Sequence, residues 1–483
     1  LYNLDYNGFH VDTGIWPTPK IQASPRLGFT YDVLGNGDLK LRGGTGLFTG
    51  RLPLVFFTNM PSNAGMYQNQ ATVWAKDGLV GTEEILNAFN GKFITDKDEL
   101  LKYLNSLNPE RFPTTITPDK GTGKSSVAAV DPKFNMPQIW KTSFAVDYNL
   151  PFSFPFSISA EGILNKNVNA VYIQDINQKP IAGFARLNGA DNRPIFPTDY
   201  TYTGTSAYVL QNTHKGYGLI GSFQINTTPV DGLNIMAAYT HTIQKELTGM
   251  PGSDASSAFT YIPTVNGPNN PALHNSEYVT PDRYYVNLTY NDKANNHYSL
   301  FYEAWRGGYN YSYMYTNDLN GDLSPYDAIY IPTEENYKQG QVKFASADDA
   351  NRFFAYAKKD AYLSKNMGKY AEAYSVYSPW VHRLDFHYAH DFVVRIGNTK
   401  NVLQLNLDVN NILNMFNSNW GVSKQMNPDL NFGRILKVEG IGADGIPVMS
   451  TPAAVSGDTE IWKYAHNIGQ VWSAQIGVKY LFN

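Results

Sequence analysis

Strict alternation of apolar and polar residues near the C-terminus is the feature that most restricts the fold of this chain. From 403 to 410, Leu, Leu, Leu and Val occupy the odd positions, whereas Gln, Asn, Asp and Asn occupy the even ones. Because successive side chains of a strand point to opposite faces, this period gives one apolar and one polar face. The pattern recurs at 26–33, 283–290, 383–392 and 472–482, with His390 as an exception. The sequence therefore predicts repeated strands with two contrasting faces.

The connections between the predicted strands alternate between short turns and very long loops. We place about eleven strands, at 25–34, 38–49, 137–149, 155–173, 215–227, 232–246, 282–291, 297–312, 380–394, 402–413 and 471–482. Short periplasmic turns with long extracellular loops characterise outer-membrane barrels. A soluble sandwich with one solvated face, which the period alone permits equally, has no reason to keep one end of every hairpin short. We therefore predict an all-β fold, a transmembrane antiparallel β-barrel in the bacterial outer membrane.

Composition removes several other classes of protein. A net charge of −4 provides no basic surface for binding nucleic acid. The absence of cysteine excludes disulfides, thiolate zinc sites and cysteine nucleophiles. No apolar run reaches the length of about 18 residues that a membrane-spanning helix needs, and the mean hydropathy is −0.35. Alternating strands account for this low value, because each strand carries as many polar as apolar side chains.

The odd number of strands predicts that the barrel needs further strands. An open sheet leaves two unpaired edges, which hydrocarbon cannot satisfy. We expect about eleven more strands in an N-terminal part, which would complete a barrel of roughly 22 strands. Residues 1–24 are then the remnant of an extracellular loop, and residues 25–483 the C-terminal portion of the barrel. The start at Leu1–Leu4 shows no charged region followed by an apolar core, so we expect no signal peptide here.

Three segments resemble the barrel of Oar-like TonB-dependent outer-membrane receptors. They are Ser24–Asp32, reading SPRLGFTYD, Leu41–Arg51, reading LRGGTGLFTGR, and Asp408–Asn414, reading DVNNILN and leading to Phe416 and Trp420. The resemblance extends over essentially all 483 residues and is strongest at both ends and along 311–332. It implies 22 strands, a plug inside the lumen and an aromatic residue at the C-terminus. This chain departs slightly, since Phe482 is followed by Asn483.

The resemblance implies a transporter. Its extracellular loops capture a ligand, a plug gates the lumen, and a segment ahead of the plug contacts an energy-transducing protein of the inner membrane. This sequence contains neither the plug nor that segment. The partners we expect are therefore outer-membrane lipids, the missing N-terminal half with its plug, the TonB-type transducer through that plug and, as a further candidate, a surface lipoprotein.

Two other functional classes remain open from the sequence. One is a structural, adhesive or export-associated outer-membrane protein, and the other is an outer-membrane hydrolase, which needs a positioned acid, base and nucleophile. Asp385, Asp391 and Asp408 do not form such a set, and we expect them to pair with Arg383, Lys479 and plug residues. The segment Gly121–Ser125 resembles part of a P-loop but has Pro118 where the first glycine belongs. We therefore expect no enzymatic activity.

Polar residues at alternate positions of the last three strands are the candidates for lining the lumen. They are Arg383, Asp385, His387, Gln404, Asn406, Asp408, Gln475 and Lys479. Four tyrosines at alternate positions of one long loop are candidates for stacking on sugars or peptides, although this spacing also fits an interfacial girdle or an extended strand. They are Tyr309, Tyr311, Tyr313 and Tyr315.

Hard oxygen ligands at alternate positions of the same loop resemble the start of a calcium site. They are Asp318, Asn320 and Asp322, with Asp327 following. The twelfth position, where a calcium loop has Glu, is Ile329. An ordinary polar turn is the alternative to a bound ion. Calcium is thus the one candidate ligand, and no cofactor is required.

A short helix is predicted inside the longest loop, over Ile94–Asn105. Thr95 is placed at its N-cap, and Leu100, Leu101 and Leu104 lie on one side. We expect this helix to pack the loop on itself, with a lid or a docking surface for a lipoprotein as the alternative.

Overall fold

The computed structural model describes most of the chain. The described residues are 3–6, 9–62, 94–110, 112–115, 126–202, 206–397 and 399–482. The segment Gly121–Ser125 and the ends at Leu1 and Asn483 lie outside these ranges, so their predicted roles are not addressed by the fold.

Within the described residues, eleven long strands form one antiparallel sheet in which each strand pairs with its neighbours in the chain. The strands are β1 (Arg26–Asp32), β2 (Leu39–Thr49), β3 (Gln138–Asn149), β4 (Phe156–Asp175), β5 (Tyr217–Val230), β6 (Leu233–Glu246), β7 (Asp282–Asn291), β8 (Asn296–Arg306), β9 (Val381–Ile396), β10 (Thr399–Asn410) and β11 (Ser473–Phe482). β1 and β11 are the two edges and do not pair with each other. The predicted all-β architecture is confirmed.

Short and long connections alternate along the sheet, as the sequence predicts. Short turns follow β1, β3, β5, β7 and β9, and long segments follow β2, β4, β6, β8 and β10. Because neighbouring strands are antiparallel, all the long segments leave the same end of the sheet. Asn3–Tyr6 and Phe9–Asp12 form an additional small hairpin within the predicted loop remnant 1–24.

β8 and β10 end earlier than predicted, whereas β4, β5 and β9 continue further, with β5 ending at Val230 rather than at 227 and β9 at Ile396 rather than at 394. β8 ends at Arg306 rather than at 312, because Gly307 and Gly308 have positive φ angles of 84° and 98°. β10 ends at Asn410 rather than at 413, because Asn411 has a φ of 51°. β4 continues to Asp175, and this outer part pairs with a strand from the following loop. That strand, Ala207–Thr213, pairs in parallel with Val127–Val130.

In the part of the chain that the structure describes, helices lie between the long strands. Among the described residues they are α1 (Val55–Ser62), α2 (Lys97–Leu107), α3 (Ala255–Thr260), α4 (Glu334–Lys338), α5 (Ala347–Lys359) and α6 (Leu413–Phe416), with 3-10 turns at Ile181–Gly183, Leu363–Lys365, Pro428–Gly433 and Ile468–Gln470. In the described part of the chain, no helix combines the length and the apolar character needed to cross a membrane.

The predicted loop helix exists as α2, but its N-cap is Asp96 and not Thr95. The Asp96 carboxylate accepts hydrogen bonds from the N–H groups of Asp98 and Glu99, at 3.0 and 2.9 Å. A carboxylate at this position satisfies two N–H groups that have no partner within the helix. No residue of α2 is buried against the described residues, so the expected packing of this helix is not observed there.

The long segments at one end of the sheet fold together into a unit that we call the cap, comprising 176–202, 307–380 and 411–472. Its core contains side chains from all three segments, among them Leu187, Phe353 and Leu430, which are fully buried. Short strands within the cap include Met314–Tyr315, Arg434–Ile441, Pro447–Ser450 and Lys343–Phe344, which form one small sheet. The cap therefore has a hydrophobic core of its own, separate from the sheet.

Candidate functional site

The eight polar residues predicted to line the lumen lie on one face of the sheet. Register pairs His387 with Asp408 and Asp408 with Gln475. Four residues further along, Gln404 pairs with Lys479. The same face also contains Arg383, Asp385 and Asn406, because each is an even number of residues from His387 or Asp408 on its own strand. Because side chains of paired residues point to the same side of a sheet, this face is polar across three strands.

Hydrogen bonds link these side chains into two groups. The imidazole Nδ1 of His387 lies 2.6 Å from Oδ1 of Asp408, whose other oxygen accepts from Asn406 at 2.9 Å. Asp391 accepts from Gln404 at 2.7 Å and lies 3.2 Å from the ring nitrogen Nε2 of His297. The polar face is thus an ordered surface of neutral amides, histidines and carboxylates.

Among the described residues, the predicted pairing of the three aspartates with Arg383 and Lys479 is wrong, and their contact with plug residues stays a prediction. Asp385 accepts a hydrogen bond from the backbone N–H of Asn411 at 2.7 Å. The guanidinium of Arg383 donates to the carbonyl oxygen of Gly421 at 3.1 Å. Both partners belong to the connection after β10, where the chain turns back over the strand ends. Backbone groups of that connection, rather than opposite charges, therefore hold these side chains.

A second charged group on the same face was missed in the sequence. Arg42 of β2 contacts Asp147 of β3 at 2.8 Å and Glu161 of β4 at 3.4 Å. Asp147 also accepts from Ser159 at 2.5 Å. The sequence does place opposite charges at polar positions of neighbouring strands. Only the register of the strands shows that these charged side chains lie in contact.

The opposite face is apolar and carries aromatic clusters at two levels. Tyr239 stacks on Tyr284 with ring centroids 4.4 Å apart, and on the same face of β7, six residues along, Tyr290 meets Tyr298 at 6.2 Å. Six residues of a strand span about 20 Å, comparable with the apolar band of about 25 Å that aromatic girdles enclose in outer-membrane barrels. This face has the pattern of a surface in contact with lipid.

Three of the four tyrosines predicted to stack on a ligand are buried in the cap. Tyr313 is 0% exposed and Tyr315 1%, and Tyr311 is also buried. Burial raises the pKa values of Tyr313 and Tyr315 well above the usual range. They belong to the core because the backbone after Gly308 enters the cap instead of continuing along the sheet. Only Tyr309, which is 47% exposed, is accessible to a ligand.

A fully buried arginine joins two segments of the cap. Arg193 contacts Asp191 and Asp327, each at 3.0 Å, and donates to the carbonyl oxygen of Ala328 at 2.6 Å. Its guanidinium also lies over the ring of Tyr315, 5.1 Å from the centroid. Burial raises the pKa of Asp327 to about 6, and the charge of Arg193 opposes this rise. Arg193 therefore places one positive charge between two buried carboxylates inside the cap.

The predicted calcium ligands are largely engaged by the protein itself. Asp318 accepts hydrogen bonds from the N–H groups of Asn320, Gly321 and Leu323 at 3.1, 2.7 and 2.9 Å. Asp327 accepts from Arg193 and from the N–H of Leu319. Among the described residues no three acidic or histidine side chains are arranged to hold a metal ion. Calcium binding stays a prediction that this geometry does not favour.

Asp322 is the one predicted calcium ligand with a carboxylate oxygen that accepts no hydrogen bond from the described residues. Its Oδ1 accepts from the N–H of Ser324 at 2.7 Å, whereas Oδ2 is buried without a hydrogen-bond partner among the described residues. Burial, together with the nearby charges of Asp327 and Asp318, raises the pKa of Asp322 to about 8. A buried carboxyl in this environment favours the protonated state.

Comparisons with known proteins agree with this architecture. A family model described as an outer membrane beta barrel domain matches residues 2–441. No curated protein sequence matches the chain significantly. Similar solved structures include the outer membrane transporter YddB from Escherichia coli, with 8% identity and a TM-score of 0.42, covering 95% of this chain and 40% of that one.

Two further solved structures are similar at the same level. The ferric enterobactin receptor PfeA from Pseudomonas aeruginosa has 8% identity and a TM-score of 0.39, covering 95% of this chain and 40% of that one. The siderophore receptor PiuA from Acinetobacter baumannii has 9% identity and a TM-score of 0.34, covering 95% and 35%. The chain thus spans about 40% of the length of the first of these structures.

Proposed function

As a member of the outer membrane beta barrel domain family, the chain resides in the bacterial outer membrane, and we propose that it forms part of a TonB-dependent transporter. In this proposal it supplies the C-terminal strands, 25–483, of an Oar-like barrel, and 1–24 is the remnant of an extracellular loop. The ligand is captured at the cap and passes through a lumen that a plug gates. No catalytic role is assigned to it.

The observation that carries the proposal is the ordered polar face of β9, β10 and β11. Opposite the lipid-facing surface, this face presents two hydrogen-bonded groups, His387 with Asp408 and Asn406, and Gln404 with Asp391. A wall of amides, imidazoles and carboxylates offers many exchangeable hydrogen bonds to a polar ligand or to a plug.

The open edges of the sheet support the presence of further strands. The N–H and C=O groups on the outer sides of β1 and β11 have no strand partner within the described sheet, and hydrocarbon offers them none. We place the remaining strands and the plug in an N-terminal half. That half would contact the inner-membrane energy transducer, and a surface lipoprotein is a further candidate partner at the cap.

The proposal can be tested with single cysteines, because the chain contains none of its own. Gln404→Cys places a thiol on the polar face, and the matched control Leu405→Cys places one on the apolar face of the same strand. In cells that carry the complete protein, a water-soluble thiol reagent is expected to label residue 404 and to leave residue 405 unlabelled. Equal labelling of both positions would refute the assignment of the faces.

Energy coupling separates the transporter from the structural or adhesive alternative. If a plug moves during transport, a protonophore that collapses the proton motive force is expected to change the labelling rate at Gln404→Cys. A rate that is the same with and without the protonophore, together with the expected contrast between 404 and 405, favours a structural, adhesive or export-associated protein.

A further inference from the structure

Two glycines lie side by side on the apolar face of the sheet. Gly162 of β4 pairs directly with Gly221 of β5. No heavy atom of the described residues lies within 4 Å of the position that a Cβ would occupy at either glycine. The two positions therefore leave an open gap in the surface that faces the membrane.

Side chains of four strands enclose this gap. Phe144 of β3 pairs with Gly162 on one side, and His241 of β6 pairs with Gly221 on the other. Leu164 and Leu219, which pair with each other, close one end. The resulting groove has a volume of about 370 Å³. Its floor is backbone, and almost all of its walls are hydrocarbon or aromatic.

The backbone conformation does not require glycine at these positions. Neither Gly162 nor Gly221 has a positive φ angle, so a side chain would be accommodated without strain. Glycine inside a strand costs roughly 0.5–1 kcal/mol relative to alanine. It also marks places where a ligand or another backbone approaches closely. Two such positions in contact thus point to an occupant of the groove.

The same row of the sheet contains a glycine whose gap the protein fills itself. The Phe29 ring lies 2.7 Å from where a Cβ of Gly43 would be, so an aromatic side chain covers that position. Gly43 pairs with Phe144, the wall of the groove. An aromatic side chain of a neighbouring strand can therefore cover a glycine in this sheet, but none covers Gly162 or Gly221.

We propose that the groove binds one acyl chain of an outer-membrane lipid. Lipid surrounds this face, and the groove is too small for a helix, whose diameter with side chains is about 10–12 Å. At one side of it, the imidazole of His241 and the hydroxyl of Tyr239 meet the carboxylate of Asp282, at 2.8 and 2.7 Å. These polar groups adjoin the Tyr239–Tyr284 stack, where a lipid headgroup would lie.

The test compares lipid retained by variants of the complete protein in mild detergent. Filling the groove with Gly162→Leu and Gly221→Leu together is expected to lower the phospholipid or lipid A bound per protein, measured by mass spectrometry, about tenfold, or about 1.4 kcal/mol. The control is Gly440→Leu, in the cap strand Arg434–Ile441, where a Cβ also meets open space. This control is expected to retain the wild-type amount.

Three results would overturn the proposal. One is unchanged lipid in the double leucine variant. Another is a protein, or a second copy of this chain, that co-purifies with the wild type and is lost from the variant. If the leucine variant does not fold, the single variants Gly162→Ala and Gly221→Ala are compared with the wild type. The third result is that both alanine variants immobilise a spin-labelled phospholipid as strongly as the wild type does.

Discussion

Arg193 is fully buried and pairs with two buried carboxylates of the cap. Replacing it by methionine leaves Asp191 and Asp327 buried without their cation, which costs about 3–5 kcal/mol. We expect Arg193→Met to make the cap sensitive to protease while the sheet persists, as followed by limited proteolysis of the complete protein.

The matched control for this prediction is Lys343→Met. Lys343 pairs with Asp444 across two cap segments at 2.5 Å, but both side chains are partly exposed. Exposed pairs contribute about 0–1 kcal/mol, so this variant is expected to resist protease as the wild type does. Equal sensitivity of the two variants would contradict the role given to burial.

The raised pKa of Asp322 predicts that the stability of the cap depends on pH. Burial raises its pKa to about 8 in the folded cap, so the folded state holds the proton more tightly than the unfolded state. The stabilisation is full below the usual carboxyl pKa of about 4 and is lost as the pH rises toward 8. Hydrogen exchange in the segment 314–331 is expected to increase over this range, and less so in Asp322→Asn.

The same variant tests the calcium prediction. A bound ion would neutralise Asp322 in its charged state, so added calcium would slow exchange in the wild type and not in Asp322→Asn. Calcium that has no effect on either protein would leave the loop as an ordinary polar turn held by Asp318.

At the scale of single residues, the sequence predicts which face of the sheet a side chain lies on better than it predicts which group that side chain contacts. Gln404, Asn406 and Asp408 could be assigned to one face because a period of two needs no knowledge of other strands. The partners of Asp385 and Arg383 could not, because they are backbone groups of Asn411 and Gly421. Both groups lie in the connection after β10, whose conformation a strand period does not describe.

Among the elements, α5 is the helix that contributes most to the cap core. Ser346 caps its N-terminus, and Asp348 and Asp349 occupy its first turn. Phe353→Ala removes a ring that is 0% exposed, and truncations of this kind cost about 3–5 kcal/mol. We expect faster hydrogen exchange throughout Ala347–Lys359.

Phe416→Ala is the corresponding control, because that ring is 75% exposed. It is expected to leave exchange in α5 unchanged. An effect as large as that of Phe353→Ala would mean that the packing of the cap core is not what holds the helix.

The strands were predicted more accurately than their ends and their loops. All eleven predicted strands are present, but the tyrosines from 309 to 315 continue the alternation past β8. Gly307 and Gly308 form the local stop signal, and it outweighs the pattern because both residues adopt positive φ angles. The cap itself was beyond sequence reasoning, since its contacts join residues such as Asn188 and Asp444.

For the whole molecule, the open edges give a direct prediction. Residues 1–483 produced alone are expected to form oligomers or aggregates, because β1 and β11 expose unpaired backbone groups. On an unheated gel they should show no band of a compact monomer, whereas co-production with the N-terminal half should restore one. A compact monomer from this chain alone would contradict the proposed 22-strand barrel.

The shared core of the cap limits how the surface of this protein can change. Loops that run separately over a protein surface tolerate insertions and changes of sequence. Here Leu187, Phe353 and Leu430 come from three different connections and meet in one core. A graft that replaces a single connection would leave the other two with apolar surface uncovered. New specificities, whether engineered or natural, are therefore expected to arise from exposed positions on the cap or from exchange of the cap as one piece.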